Sequence, residues 1–413
     1  MGFAKASVRD AEVAGRRVLT RVDFNVPLSD GRVEDDMRIR AALPTIELLR
    51  RRGAATVLVS HLGRPEGGVD PALSMKPVGE RLEELLGAQV RQAPEVVGER
   101  AAELAAGLGD GELMLLENCR FEAGETSNDP ELARRLAELA DVYVTDAFGA
   151  AHRAHATTEG VAHLLPAYAG LLLEREVTEL TALAESPRRP LVVVLGGAKV
   201  SDKIGVIGRF LELADEILIG GAMCFSFFRV QGIETGDSLV EEEGLQAARD
   251  ALAEAERSDC RLSLPADLVL GDRLDAGAER REVDGVGVPA GWMGLDIGAR
   301  TAERYAASIA AAGTVLWNGP MGAFEIDAFA AGTRVIAEAV AGAPGKTVVG
   351  GGDSVAALRQ FGLADRVDWL STGGGASLEL LEGRPLPGVE ALMDATMPPA
   401  PDAGASERED RGG

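Results

Sequence analysis

The segment 191–204, LVVVLGGAKVSDKI, limits the possible folds more than any other stretch of this chain. It begins with a continuous apolar run rich in β-branched valine, which is typical of a strand buried on both faces of a parallel sheet. Gly196 and Gly197 end the run, and Lys199 and Lys203 follow at a spacing that places them on one face of a helix. This layout is able to hold phosphate oxygens, but the segment alone fits an ordinary solvated turn equally well.

The same order of strand, polar loop and helix recurs along the chain. Short apolar runs predict strands at 17–22, 55–60, 113–117, 141–145, 191–195, 216–219, 314–317, 347–349 and 367–370. Amphipathic patterns predict helices at about 45–52, 77–86, 130–140, 241–257 and 376–381. The alternation predicts the α/β class, with parallel sheets covered by helices on both faces.

A chain of 413 residues is long for one core, so we expect two domains. The predicted division is a doubly wound, Rossmann-like domain at 1–163, a mostly helical hinge or connector at 164–186, and a second such domain at 187–385. Residues 398–413 are acidic and poor in apolar side chains, which predicts a disordered tail.

The composition argues against several classes of function. The net charge of −24 disfavours a nucleic-acid or anionic-membrane surface, and no apolar run reaches membrane-spanning length. The three cysteines are far apart and have no metal-ligand spacing, so we expect reduced thiols and a cytoplasmic protein. Nothing in the sequence indicates more than a monomer. Adaptation to high salt is one hypothesis for the acidic excess.

The loops after the strands carry different chemistry in the two halves. The first half presents donors suited to a small polyanion, namely Arg21, His61, Arg64, Arg120 and Arg153. The second half presents glycines, two lysines and an aspartate, which suit a nucleotide with a metal ion. Two such sites indicate transfer of a group between two anions. No Walker A loop is present. No GxGxxG fingerprint opens a helix after a strand, which disfavours a nicotinamide dehydrogenase.

Eight motifs occur in an order that closely resembles the phosphoglycerate kinase family. They are RVDFNVPL at 21–28, SHLGRP at 60–65, ENCRF at 117–121, DAFGAAHRAHA at 146–156, GGAKVSDKI at 196–204, WNGPMGAFE at 317–325, GGGDS at 350–354 and STGGGAS at 371–377. The resemblance implies reversible, direct phosphoryl transfer from 1,3-bisphosphoglycerate to MgADP, giving 3-phosphoglycerate and MgATP. It also implies closure of two domains about a hinge, with residues 386–395 packing back on the first domain.

The resemblance further assigns residues to each substrate. The implied phosphoglycerate-binding positions are Asp23, Phe24, Asn25, Arg38, His61, Leu62, Gly63, Arg64, Arg120 and Arg153. The implied nucleotide-binding positions are Lys203, Gly294, Asn318, Glu325, Gly351, Gly352, Asp353 and Ser354, with Glu325 on the ribose and Asp353 near Mg²⁺. The implied catalytic groups are Arg38, Lys199 and Gly374. Both exchanging groups are already ionised near neutral pH, so catalysis rests on alignment and cations and needs no general base.

The match has departures, and other functions stay open. Thr157 stands where the family often has serine, and Glu66 and Ala72 stand where many members have lysine. A catalytically silent relative and a kinase for a different small phosphorylated acid are the two alternatives, although the intact charged positions argue against both. The sequence leaves the reactivity of Cys119 open.

Overall fold

The computed structural model describes residues 3–65 and 68–395, and it confirms the predicted α/β class with two parallel sheets. The chain divides into two units. Unit 1 contains the described residues up to Arg175 together with those from Pro387 onward, and unit 2 is Glu176–Leu386. The predicted disordered tail at 398–413 lies outside the described residues.

Unit 1 is built on a sheet of six parallel strands in the order β5-β6-β4-β1-β7-β8. Its strands are β1 (Arg17–Arg21), β2 (Leu28–Ser29), β3 (Arg32–Val33), β4 (Ala55–Val59), β5 (Val90–Gln92), β6 (Leu113–Leu115), β7 (Val142–Thr145) and β8 (Ala167–Ala169), of which β2 and β3 form a separate hairpin. Its helices are α1 (Met37–Arg51), α2 (Lys76–Leu86), α3 (Glu99–Ala106) and α4 (Pro130–Ala137), and α5 (Leu171–Glu185) begins in this unit.

The core of unit 1 explains why the central strands form. All five residues of β4 are buried, as are the last four of β1, so neither strand shows the polar alternation of a half-exposed sheet. Phe24, Ile39 and Leu82 belong to one buried cluster, and Val18 and Leu49 belong to another. Each such side chain contributes about 1.5–3 kcal/mol when it is removed from water.

Two predictions for unit 1 are corrected by these elements. Helix α1 begins at Met37, earlier than the predicted start near 45, and contains Pro44. Burial of Ile39 and Ala42 stabilises the turn that precedes the proline, which offsets the lost backbone donor. The segment 164–186 is α-helical only from Leu171, because residues 167–169 pair with β7 as an edge strand.

Unit 2 has its own six-stranded parallel sheet, in the order β11-β10-β9-β15-β16-β17. Its strands are β9 (Leu191–Leu195), β10 (Glu216–Ile219), β11 (Arg261–Ser263), β12 (Leu268–Gly271), β13 (Arg280–Val283), β14 (Met293–Ile297), β15 (Thr314–Asn318), β16 (Lys346–Gly350) and β17 (Trp369–Leu370). Its helices are α6 (Ile204–Leu213), α7 (Cys224–Val230), α8 (Leu245–Ala255), α9 (Ala299–Ala310), α10 (Ala331–Gly342), α11 (Gly352–Gln360) and α12 (Gly375–Leu381).

A second sheet in unit 2 was not predicted. Strands β12, β13 and β14 form a three-stranded antiparallel sheet with β12 in the centre. Strand β13 exposes Arg280, Arg281 and Glu282, so it lacks the apolar alternation that identifies a strand in a sequence.

The last described residues return to unit 1. A short helix, α13 (Pro387–Glu390), follows Leu386, and the Gly388 N–H donates to the Ala151 carbonyl at 2.9 Å. The Lys5 ammonium donates to the Asp394 carboxylate at 2.9 Å and to the Glu390 carbonyl at 3.1 Å. Throughout residues 3–65 and 68–395, no helix has both the length and the apolar character needed to cross a membrane.

Candidate functional site

In unit 1, the loop that leaves β1 places a carboxylate against a guanidinium. Arg38, in the first turn of α1, donates to both oxygens of Asp23 at 3.0–3.1 Å and to the Asn25 carbonyl at 3.3 Å. Burial alone would raise the pKa of Asp23, but the guanidinium groups of Arg38 and Arg21 and the hydrogen bond from the Asn25 N–H favour the carboxylate, and the net shift is downward. Asp23 is therefore a charged anchor that fixes Arg38.

The loop after β4 is held by carboxamide side chains. Asn25 Oδ1 accepts from the Gly63 N–H at 2.8 Å, and Asn118 Oδ1 accepts from the Leu62 N–H at 3.1 Å. Asn118 also donates to the Leu62 carbonyl at 2.7 Å, and the Phe24 N–H donates to the Ser60 hydroxyl at 2.8 Å. Gly63 has a φ of +63°, which glycine adopts without strain. Three strand-end loops are thereby joined at one edge of the sheet.

Several cations gather at this edge. Arg120 donates to the Gly63 carbonyl. The pKa of Arg120 is lowered by partial burial and by the positive charges of Arg153 and Arg21, although Cys119 and Glu125 act in the opposite direction. Burial places the pKa of His61 well below its ordinary value. Asp23 opposes this shift, and the positive charges of Arg21, Arg120 and Arg38 add to it. Close positive charges of this kind are typical of a site for a polyanion.

The structure brings together most of the residues predicted for the first substrate. Asp23, Phe24, Asn25, Arg38, His61, Leu62, Gly63, Arg120 and Arg153 are joined to one another, or to shared partners, by the hydrogen bonds and charge interactions just described. Arg64 is exposed, and within residues 3–65 and 68–395 no hydrogen bond or ion pair ties it to the others.

In unit 2, the strand-end loops surround a mostly apolar cavity of about 490 Å³. Of the predicted nucleotide positions, Gly294, Glu325 and Asp353 line this cavity. Its apolar wall includes Phe225, Leu239, Leu268, Leu274 and Met321, none of which was predicted as a site residue. An apolar cleft with a few carboxylates at its border suits a flat heterocycle with a polar tail.

Glycines allow the backbone loops to meet closely at the edge of this cavity. A Cβ atom on Gly196 would collide with the Pro320 carbonyl, and one on Gly319 would collide with the Gly196 carbonyl. Gly319 also has a φ of +99°. The Gly196 N–H donates to the Asn318 carbonyl at 3.0 Å, and the Gly197 N–H donates to the Pro320 carbonyl at 3.0 Å. The glycines of these two loops are therefore required by backbone packing.

Lys203 is a buried cation next to β15. Its ammonium donates to Asn318 Oδ1, and its side chain is nearly inaccessible to solvent. Burial lowers the pKa of Lys203 to about 8, although Asp202 and Asp353 act in the opposite direction. A buried ammonium with one carboxamide partner is suited to accept an additional anion.

The loop after β16 leads directly into α11. Gly351 has a φ of +87° and lies beside Asn318, and Gly352 begins the helix. Ser354 accepts from the Gly319 N–H at 2.6 Å, which connects this loop to the one after β15. Lys199 and Gly374 do not line the cavity in the part of the chain that the structure describes, and Lys199 is exposed.

Asp353 is the carboxylate that the sequence predicts near a metal ion. No group of three or more histidine, cysteine, aspartate or glutamate side chains in the described ranges could hold one. Asp353 is exposed, lines the cavity and lies close enough to Lys203 to affect its pKa. One carboxylate fits Mg²⁺, which proteins often bind through one or two carboxylates while phosphates and water supply the other ligands.

The geometry defines a two-unit α/β protein with a cluster of cationic side chains in one unit and an apolar cleft bordered by carboxylates in the other. The sequence model of the phosphoglycerate kinase family matches residues 8–384. The chain therefore belongs to the phosphoglycerate kinase family, which confirms the family and the kinase function predicted from the ordered motifs.

Individual relatives agree over nearly the full length. The phosphoglycerate kinase of Rubrobacter xylanophilus is 56% identical over 390 residues, which are 94% of this chain and 98% of the relative. That of Chloroflexus aurantiacus is 54% identical over 397 residues, with 95% and 99% coverage. The structure of phosphoglycerate kinase from Coxiella burnetii has a TM-score of 0.83 at 40% identity, covering 94% of this chain and 98% of the other.

Proposed function

We propose that this chain catalyses reversible phosphoryl transfer between 1,3-bisphosphoglycerate and ADP, with 3-phosphoglycerate and ATP as the products. Family membership supports the reaction. The observation that carries the assignment of substrates is the cluster of guanidinium groups in unit 1, where Arg120 lies within the fields of Arg153 and Arg21. Arginines gathered in this way provide the charge and the donors that a carboxylate and a phosphate need.

In this proposal, unit 1 binds the phosphoglycerate. Arg120, Arg153 and Arg64 neutralise its phosphate, and His61 donates a further hydrogen bond. Asp23 holds Arg38, which is then positioned to stabilise charge on the transferred group. Asn25 and the backbone of 62–63 shape the loop around the substrate.

Unit 2 binds the nucleotide in the same proposal. The base occupies the apolar cavity beside Gly294, and the ribose hydroxyls donate to Glu325. Lys203, Asn318 and the N–H groups of 351–354 face the phosphates. Asp353 would hold Mg²⁺, which would supply positive charge beside the phosphates.

The chemistry needs cations and alignment. The acyl phosphate and the carboxylate are ionised at neutral pH, so no side chain has to remove a proton. Lys199 and the N–H groups near Gly374 supply positive charge to the moving phosphoryl group, as does Arg38. Hinge bending, a monomeric state and a cytoplasmic location belong to this proposal as further expectations.

The test is coupled turnover of ATP with 3-phosphoglycerate, with Mg²⁺ and then with excess EDTA. We expect turnover that needs Mg²⁺ and that Asp353→Asn lowers strongly, whereas Asp365→Asn, at an exposed aspartate of the same unit, does not. Folded protein without turnover would favour a binding-only relative. Turnover with another phosphorylated acid, but not with 3-phosphoglycerate, would favour a different substrate.

A further inference from the structure

Four buried polar side chains form a continuous row in unit 1, and two of them have no assigned role. Thr157 donates its hydroxyl proton to Glu125 Oε1 at 2.6 Å, and the Thr157 N–H donates to Glu125 Oε2 at 3.0 Å. Arg21 Nε donates to the Thr157 hydroxyl at 2.8 Å, and Arg21 Nη2 lies 3.0 Å from His61 Nδ1. Their exposed fractions are 1% for Glu125, 0% for Thr157, 1% for Arg21 and 7% for His61.

The direction of each hydrogen bond in this row is fixed by chemistry. A guanidinium has only donors, so the Thr157 oxygen accepts from Arg21 and its single proton goes to Glu125. For the same reason, His61 Nδ1 has to accept from Arg21. His61 is therefore a neutral imidazole with its proton on Nε2. Burial of His61, which lowers its pKa, agrees with the neutral form.

The guanidinium of Arg21 is held on three sides. Besides Thr157 and His61, it contacts the Val22 carbonyl, to which Nη1 donates. Arg21 is the last residue of β1, and Glu125 and Thr157 come from two other segments of the chain. The orientation of the Arg21 side chain therefore depends on a hydrogen bond to a residue that is 136 positions away in the sequence. Removing the Thr157 hydroxyl would leave both a buried guanidinium N–H and a buried carboxylate oxygen without this partner.

We propose that Glu125 and Thr157 are positioning residues for phosphoglycerate binding, because they orient Arg21 and thereby hold His61 with Nε2–H available to the substrate. The proposal rests on the function inferred above for unit 1. It assigns no chemical step to either residue. A serine hydroxyl would make the same two hydrogen bonds, so threonine and serine are equivalent at position 157 in this respect.

The experiment compares Thr157→Val, Thr157→Ser and Glu125→Gln. The measurements are KM for 3-phosphoglycerate, KM for ATP, and the ¹⁵N shifts of the His61 ring, which distinguish the two neutral tautomers. We expect Thr157→Val to raise KM for 3-phosphoglycerate about tenfold, to leave KM for ATP within twofold and to shift the His61 ring signals. Thr157→Ser should restore wild-type values within twofold.

Thr56→Val is the matched control. Thr56 is a fully buried threonine of β4, and its hydroxyl has no hydrogen-bond partner among the described residues. It should change neither KM nor the His61 signals. If Thr157→Val does not fold, Glu125→Gln is measured in its place. Glutamine keeps the shape of the Glu125 side chain and removes its negative charge.

Three results would overturn the proposal. The first is an unchanged KM for 3-phosphoglycerate in folded Thr157→Val. The second is an equal rise of both KM values, which would indicate general loss of structure. The third is a wild-type His61 protonated on Nδ1. The ring signals of the wild-type protein do not depend on turnover, so a failure of the proposed reaction is distinguishable from a failure of this proposal.

Discussion

The candidate anion sites of the two units are built by different means. In unit 1 the candidate ligands include long side chains, and two of the arginines are fixed by other side chains, Arg38 by Asp23 and Arg21 by Thr157. In unit 2 the loops consist of backbone packed on backbone, and glycines such as Gly196 and Gly319 allow the contact. The proposed function assigns a compact polyanion to the first site and a longer ligand with an apolar part to the second.

This difference has consequences for mutation. A side-chain network loses one interaction at a time, so changes in unit 1 should alter affinity for one substrate and preserve the fold. Where two loops meet backbone to backbone, as at Gly196 and Gly319, there is no side chain to remove, and a change at a glycine has to displace a loop. We therefore expect substitutions in unit 2 to affect stability and nucleotide binding together.

Lys199→Ala should have the largest effect. We expect turnover to fall about a hundredfold or more while the affinity for nucleotide changes little, because a cation that acts on the transition state is lost. Stopped-flow turnover and calorimetric binding measure the two quantities. Lys76→Ala, at an exposed lysine of α2, is the control. Turnover within threefold of wild type would refute the role of Lys199.

Gly319→Ala tests the backbone site. Its φ of +99° and the predicted collision with the Gly196 carbonyl both oppose a side chain. We expect nucleotide affinity to fall about tenfold and the Tm to drop by several degrees, since such strain costs about 1–3 kcal/mol. Gly342→Ala, where a methyl group meets no atom within 4 Å, should leave both unchanged. If Gly319→Ala and Gly342→Ala have the same nucleotide affinity and Tm, the nucleotide site does not depend on close backbone packing.

Arg64→Ala tests the side-chain site at its exposed member. We expect KM for 3-phosphoglycerate to rise about tenfold and KM for ATP to stay constant, because one charge-assisted interaction with the substrate is lost. Steady-state kinetics with each substrate varied in turn decides the matter. Arg100→Ala, on the surface of α3, serves as the control. A change confined to KM for ATP would contradict the assignment of substrates to units.

Lys203 predicts a smaller, pH-dependent effect. Burial lowers its pKa to about 8 in the free protein, and phosphates would favour the charged form and raise that pKa in the complex. Nucleotide affinity should therefore be constant below pH 7 and fall severalfold between pH 8 and 9. Calorimetry in two buffers of different ionisation enthalpy should detect proton uptake near pH 8. Lys203→Arg should bind independently of pH in this range; an equal slope in both proteins would exclude Lys203 as its origin.

The sequence predicted the residues that follow strands and missed those that act through others. Asp23, His61 and Gly351 stand directly after apolar runs, where the carboxyl ends of parallel strands meet. Glu125 and Thr157 are 32 residues apart and carry no local signal, so only the folded chain shows their pairing. The apolar cavity was missed for a similar reason, because Phe225 and Met321 look like ordinary core residues.

The most direct test of the central claim is hydrogen exchange followed by mass spectrometry, with each substrate added alone. The assignment of one anion to each unit predicts that 3-phosphoglycerate protects peptides covering 60–65 and 118–125. MgADP should protect peptides covering 319–325 and 350–354. Two results would contradict the account. One is that 3-phosphoglycerate protects the unit 2 peptides and leaves 60–65 unchanged. The other is that MgADP protects the unit 1 peptides and leaves 350–354 unchanged.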